Sequence, residues 1–356
     1  MANGSNSVSR DFMPEFKSNF SIALRKEISM RNVFLIILLA AIEAMPLLFQ
    51  TSNVQASGPG EESGYYVFCY FVNNGEDGVH YAVSRDGYVW KALNEGKVVL
   101  PPPVGKKTRL TRDPSITRGP DGEFRLVWTV AWDGRSFGYA HSKDLINWQD
   151  AQPIPALKDE PTARNTWAPE VFYDDATEQF YIVWSSTIPG KFSPANEGTS
   201  EDKYDHRVYC VTTKDFKTFT PARLFFDPGH NVIDAFLAKK DGVYHLFYKD
   251  ETLHPERKII LEATAPTAEG PFSEGKQISA QSWVEGPSGI TLGDDWIVYY
   301  DCYRDGKYGA VRSHDGGEWE DVANLISFPK GTRHGTAFEV DQKTYENLIK
   351  EYGIVE

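Results

Sequence analysis

The chain has 356 residues and a net charge of −13, with 13% aromatic residues, 29 glycines and 21 prolines. So acidic a chain offers no basic surface to neutralise phosphates, which excludes a nucleic-acid partner and fits a neutral or cationic ligand. Many aromatic residues among frequent Gly and Pro suit short strands joined by tight turns.

The first feature in chain order is a targeting segment. Met30-Arg31-Asn32 leads into an apolar run from Val33 to Phe49, broken only by Glu43 and Pro46, and small residues follow as far as Gly58. A basic start, a short apolar core and a small-residue exit make a secretory signal peptide. The run is too short and too interrupted for a good membrane span. The expectation is an N-terminal extension and signal peptide over 1–56, and a secreted or periplasmic mature chain over 57–356 without a membrane partner. Residues 1–29, polar and aperiodic, read as sequence upstream of the working start codon.

Beyond Gly64 the chain repeats itself. Ser84-Arg85-Asp86-Gly87-Tyr88-Val89-Trp90 returns around Ser142-Lys143-Asp144, Thr213-Lys214-Asp215 and Ser313-His314-Asp315, with a degenerate copy at Thr264 to Phe272. Alternating strands precede these turns, among them Phe124 to Thr129, Phe180 to Ser185, Val243 to Tyr248 and Trp296 to Tyr300. Each is read as introduced by a hairpin signal such as Pro120-Asp121-Gly122 or Lys240-Asp241-Gly242. One repeat reads as strand, hairpin, strand, Ser-Asp turn, strand. Five such four-stranded antiparallel blades make an all-β, five-bladed β-propeller.

The first copy lacks an inner strand, and the chain ends with Thr332 to Val340, a strand with no hairpin after it. That C-terminal strand is expected to complete the N-terminal blade and close the ring. The tail from Gln342 to Gly353 has helical spacing and is expected to cap one face. The propeller is expected to be a monomer. Cys69, Cys210 and Cys302 lie far apart in apolar runs without CxxC spacing, and read as buried free thiols.

In a propeller the innermost strands line a central channel, and their equivalent ends face one another. The strand starts are Arg112-Asp113-Pro114, Trp167-Ala168-Pro169-Glu170, Ile233-Asp234-Ala235, Val284-Glu285-Gly286-Pro287 and Arg333-His334-Gly335. Four carry a carboxylate and the fifth a histidine. Paired carboxylates at one mouth can cleave a glycosidic bond, one protonating the leaving oxygen and the other activating water. Burial beside Trp283 is expected to raise the pKa of Glu285, as general-acid chemistry needs.

This ordered set of motifs resembles glycoside hydrolase family 43, five-bladed propeller enzymes acting on arabinosides, xylosides and sometimes galactosides. The resemblance covers the chain from about Tyr65 to Glu339. It implies Asp113 as general base, Asp234 as the acid that orients and tunes its partner, and Glu285 as general acid. It further implies inverting single displacement with no organic cofactor required. Glu170 stands where an aspartate is usual and is taken as substrate-facing. Trp167 and Trp283, with Trp132 nearby, either stack on sugar or pack between blades. Arg112 and Arg333 bind sugar hydroxyls or pair with the carboxylates. His334 stands on the channel axis, where relatives hold calcium, and reads either as an ion ligand or as a hydrogen-bonded histidine.

The substrate expected is an oligo- or polysaccharide of plant type, with arabinofuranosidase, xylosidase or galactosidase action. A retaining fructan-cleaving propeller needs a nucleophilic Asp on the preceding blade, where the chain offers only Tyr65-Tyr66-Val67-Phe68. The alternative from another class, a non-catalytic carbohydrate-binding propeller, needs the aromatic residues but not three matched acids.

Overall fold

The computed structural model describes residues 58–60, 62–104, 109–193 and 199–355, and the expected signal peptide lies outside them. The alternating runs become the second strands of five four-stranded sheets. The second blade holds β4 (Arg112–Arg118), β5 (Phe124–Thr129), β6 (Phe137–Ser142) and β7 (Gln149–Ile154). It follows β1 (Tyr66–Val72), β2 (His80–Ser84) and β3 (Lys91–Ala92) of the first. The third holds β8 (Trp167–Asp174), β9 (Gln179–Thr187), β10 (His206–Thr213) and β11 (Arg223–Phe226). The fourth holds β12 (Val232–Lys240), β13 (Val243–Asp250), β14 (Ile259–Ala265) and β15 (Lys276–Gln277). The fifth holds β16 (Glu285–Leu292), β17 (Asp295–Cys302), β18 (Lys307–Ser313) and β19 (Glu320–Asp321).

The last strand, β20 (Thr332–Glu339), pairs antiparallel with β1, Val67 opposite Phe338, and so supplies the inner strand of the first blade. The inner strands contact one another in a closed circuit, β4 to β8, β12, β16, β20 and back to β4. Closure by the chain's own C-terminal strand was legible from the missing first inner strand. Helix α1 (Gln342–Tyr352) follows, with Asp341 accepting from the Thr344 N–H at 2.8 Å as its N-cap. Its Tyr345 and Leu348 pack on Val67 and Tyr81 between the first and second blades.

Alternation places one row of each strand toward the preceding blade and one toward the next. Apolar clusters fill the gaps between neighbouring blades, with Trp128, Trp184, Tyr248 and Tyr299 fully buried among them. Burying such an aromatic stabilises the fold by roughly 2–3 kcal/mol. Cys69, Cys210 and Cys302 are buried free thiols, as expected.

The repeated Ser-Asp turn also has a physical account. Ser84 Oγ accepts from the Gly87 N–H at 2.9 Å, and Asp86 Oδ1 accepts from Tyr88 and Val89, each at 2.8 Å. Ser142 with Asp144 and Thr213 with Asp215 repeat the pattern. Each pair satisfies backbone donors that the turn would otherwise leave open. Among the described residues, no helix is long and apolar enough to cross a membrane.

Candidate active site

Four of the inner strands carry a β-bulge near their start, and β20 is irregular at the matching place. The register fixes which residues are equivalent. Arg112, Trp167, Ile233 and Glu285 pair with Thr129, Ser185, Lys249 and Asp301, and Val72 pairs with Thr332. The next residue is the bulged one. Asp113, Ala168, Asp234 and Gly286 occupy it with φ of 51°, 46°, 55° and 59°. Three of these are non-glycine residues in the left-handed region, a costly conformation that clusters where function holds it.

The carboxylates are therefore staggered rather than level. Asp113 and Asp234 share the bulge position, Glu285 stands one residue before it, and Glu170 stands two after it. Glu170 is thus not level with the other carboxylates at the strand starts. Glu170 is 9% exposed and lies beside Ser115 of the second blade, and burial pushes its carboxyl up to about 8.

His334 joins the acids. Its Nδ1 lies 3.4 Å from Asp113 Oδ1 and 3.7 Å from Asp234 Oδ2, bridging the second and fourth blades from the first. Asp113 is held on its other side, where Thr129 Oγ1 donates to Oδ2 at 2.8 Å while accepting from the Ala168 N–H at 2.8 Å. Asp234 Oδ2 accepts from the Gly286 N–H at 3.0 Å. A methyl group on Gly286 would stand 2.3 Å from His334 Cγ, so the close approach of histidine to this bulge requires glycine. Among the described residues, no group of three or more His, Cys, Asp or Glu side chains could hold a metal. Calcium, moreover, prefers oxygen ligands to imidazole nitrogen. Among the described residues the channel thus offers no His and carboxylate donor set for the ion that was one of the two readings of His334.

Glu285 is held by two cations. Arg333 Nη2 donates to Oε1 at 2.9 Å and Lys249 Nζ to Oε2 at 3.3 Å. Burial by itself raises its pKa, as the sequence reading expected. Lys249, Arg333, His334 and Arg112 outweigh that and pull the carboxyl down to about 2. The resting site holds Glu285 as an anion, against the expectation of a protonated acid. The raised pKa belongs instead to Asp234, pushed to about 6 by burial and by the nearby Glu285 charge. Asp301 also rises to about 6 for the same two reasons, although Arg333 Nε donates to its Oδ2 at 2.6 Å.

The aromatic candidates stand around this group. Trp167 Nε1 donates to the Trp132 carbonyl at 2.7 Å, and the two rings meet edge to face at 5.7 Å. Trp132 is 42% exposed and carries the Arg112 guanidinium 4.4 Å above its ring. Arg112 also lies 4.5 Å over Phe71 and donates to Asn74 Oδ1 at 3.1 Å, rather than pairing with an acid. Trp283, at φ 60°, is covered by the exposed Arg304 at 2.9 Å from its ring centre.

Sequence reading missed Lys249, Asp301 and Thr129. A signal existed, because in four blades the apolar run of the second strand gives way to a polar residue opposite the residue just before the bulge. Phe124 to Trp128 ends in Thr129, Phe180 to Trp184 in Ser185, Tyr244 to Tyr248 in Lys249, and Trp296 to Tyr300 in Asp301.

Comparison with known proteins bears on the family and the fold. An α-L-arabinofuranosidase of Bifidobacterium longum subsp. longum is 28% identical over 250 residues, covering 60% of this chain and 23% of the relative. The chain thus matches under a quarter of that relative's length. A solved thermostable family-43 glycoside hydrolase shares the fold with a TM-score of 0.50 at 18% identity, covering 66% of this chain and 80% of the other. A family model described as "Probable glycosyl hydrolase domain" matches residues 61–346, every blade included. The chain belongs to this family of glycosyl hydrolase domains related to glycoside hydrolase family 43.

Proposed function

We propose that the chain is a secreted glycoside hydrolase that removes arabinofuranosyl units from plant-type oligosaccharides or polysaccharide side chains by inverting single displacement. Xylosyl and galactosyl units are the next candidates. One observation carries the reading: Asp113 and Asp234, from blades that are not neighbours, meet at His334 while Glu285 stands on the strand paired to Asp301. A binding module has no use for three acids, one buried and two half-buried, brought together at this cost in backbone strain. The name of the Bifidobacterium relative favours arabinofuranosides. The basic, apolar and small-residue pattern from Met30 to Gly58 supports export.

In this mechanism Asp113, oriented by Thr129 and His334, takes a proton from water at the anomeric carbon. Glu285 gives a proton to the departing oxygen. Asp234 tunes Glu285 and steadies it through the Gly286 N–H. The cationic grip on Glu285 adds a requirement. The acid must receive its proton within the coupled set, where Asp234 retains one up to about pH 6. A bound sugar can assist by engaging Arg333 and excluding water, both of which favour neutral Glu285.

A screen of nitrophenyl arabinofuranoside, xyloside and galactoside with the mature chain and its Asp113→Asn variant tests the proposal. Turnover of one glycoside that falls at least about 10³-fold in the variant is the expected result. Binding without turnover on all three sugars would favour the carbohydrate-binding alternative.

A further inference from the structure

Lys249 reaches the site from the second strand of the fourth blade, outside every motif of the inner strands. It is 2% exposed, and its Nζ lies 3.3 Å from Glu285 Oε2 and 2.7 Å from Glu251 Oε2. Glu251 Oε1 in turn pairs with Lys258 Nζ at 2.6 Å, and Lys258, 1% exposed, reaches Glu201 at 2.7 Å. On the other side, Arg333 links Glu285 to Asp301 at 2.9 and 2.6 Å. The signs alternate from end to end: Asp301, Arg333, Glu285, Lys249, Glu251, Lys258, Glu201.

Such a line is expensive to assemble. A buried ion without its partner costs several kcal/mol, and an apolar replacement of the whole pair is often as stable. Fold stability alone therefore gives no reason for two buried lysines behind one acid. The chemistry of the acid does.

We propose that Lys249 is a positioning residue whose buried ammonium makes Glu285 a strong acid by stabilising the carboxylate left when its proton passes to the leaving oxygen. The proposal rests on the assignment of Glu285 as general acid. In the step, the Glu285 O–H bond breaks and its proton joins the glycosidic oxygen. The anomeric carbon–oxygen bond breaks with its electron pair going to that oxygen. Water bonds to the anomeric carbon, and its proton goes to Asp113. Glu285 ends with a full negative charge facing Lys249. Starting from the sugar-bound site with Glu285 protonated, attraction to Lys249 grows toward the transition state and lowers the barrier, whereas attraction equal throughout only tightens binding. The groups facing Glu285 from other elements are Arg333 and His334 on β20, Arg112 on β4, Asp301 on β17, Tyr303 just after it, Tyr308 on β18 and Asp234 on β12. All remain when Lys249 alone is replaced.

The test compares wild type, K249M and E251Q on a series of aryl and alkyl glycosides of the preferred sugar, across pH. For K249M we expect kcat to fall about 100-fold on poor leaving groups and less than about 10-fold on nitrophenol, with KM within about threefold. The alkaline limb of kcat, which reports the sugar-bound enzyme, should move up by at least about one pH unit, because the acid has lost a cation. E251Q should move that limb down, since Lys249 then serves Glu285 alone. A folded K249M with equal losses on all leaving groups, or with an unmoved alkaline limb, overturns the proposal. If K249M does not fold, the direction in E251Q decides, and an unmoved or raised limb overturns it. E285Q serves as the control for the parent assignment. Full turnover of poor leaving groups by E285Q would remove Glu285 as the acid, and the role of Lys249 with it.

Discussion

The carboxylate of Asp234 is bonded to the main chain of Gly286, the residue that follows Glu285, with the N–H donating to Oδ2 at 3.0 Å. One acid thus holds the strand that carries another, across the seam between the fourth and fifth blades. Asp234→Asn keeps an acceptor for that N–H and removes the charge. Its melting temperature should stay near wild type while kcat falls about 100-fold. Asp234→Ala loses the acceptor as well and should cost a further 1–3 kcal/mol or so of stability. Thermal unfolding beside steady-state kinetics separates the two effects.

Glu170 gives a stability prediction with a definite sign. Burial lifts its carboxyl to about 8, so the folded chain keeps a proton that the unfolded chain releases near pH 4.3. Wherever the folded state binds more protons, stability falls as pH rises. The penalty is absent below about pH 4 and grows until about pH 8. Glu170→Gln should therefore match wild type at pH 4 and become progressively more stable than it toward pH 8, by on the order of 2–4 kcal/mol. Urea titrations of both proteins at several pH values check this. A gap that is constant with pH would mean that Glu170 is ionised in the folded chain.

The ring depends on β20. It pairs with β1 along its length and touches the inner strands of both neighbouring blades. Removal of residues 332–356 would leave β1 unpaired toward the channel and take Tyr345 and Leu348 from the first apolar cluster. The shortened chain should lose its cooperative thermal transition and expose apolar surface to a fluorescent dye. A single sharp transition like that of the full chain would show that four inner strands suffice.

Much of the fold was legible because a repeat constrains many residues at once. Ser84-Asp86 and its returns mark one turn in four blades, and the missing first inner strand assigns Thr332 to Glu339 its place. The site was legible only in part. Asp113, Asp234, Glu285 and His334 were picked out because they stand near the starts of inner strands, where the structure places them. Their stagger was not, because a bulge adds a residue to one strand without leaving a sequence pattern of its own. Glu170 looks level with Asp113 in a list of strand starts, yet the register sets it two residues beyond the bulge. The protonation of Glu285 was misjudged for a related reason. Trp283, its sequence neighbour, suggested burial alone, whereas Lys249 and Arg333 approach from other strands.

The central claim is that Asp113 and Glu285 act on opposite faces of one sugar in a single displacement, and the configuration of the first-formed product tests it most directly. Proton NMR of a running reaction, taken before mutarotation, should show the anomer opposite to that of the substrate. Asp113→Asn should be inactive in hydrolysis. A retained anomer would make one carboxylate a nucleophile and contradict single displacement.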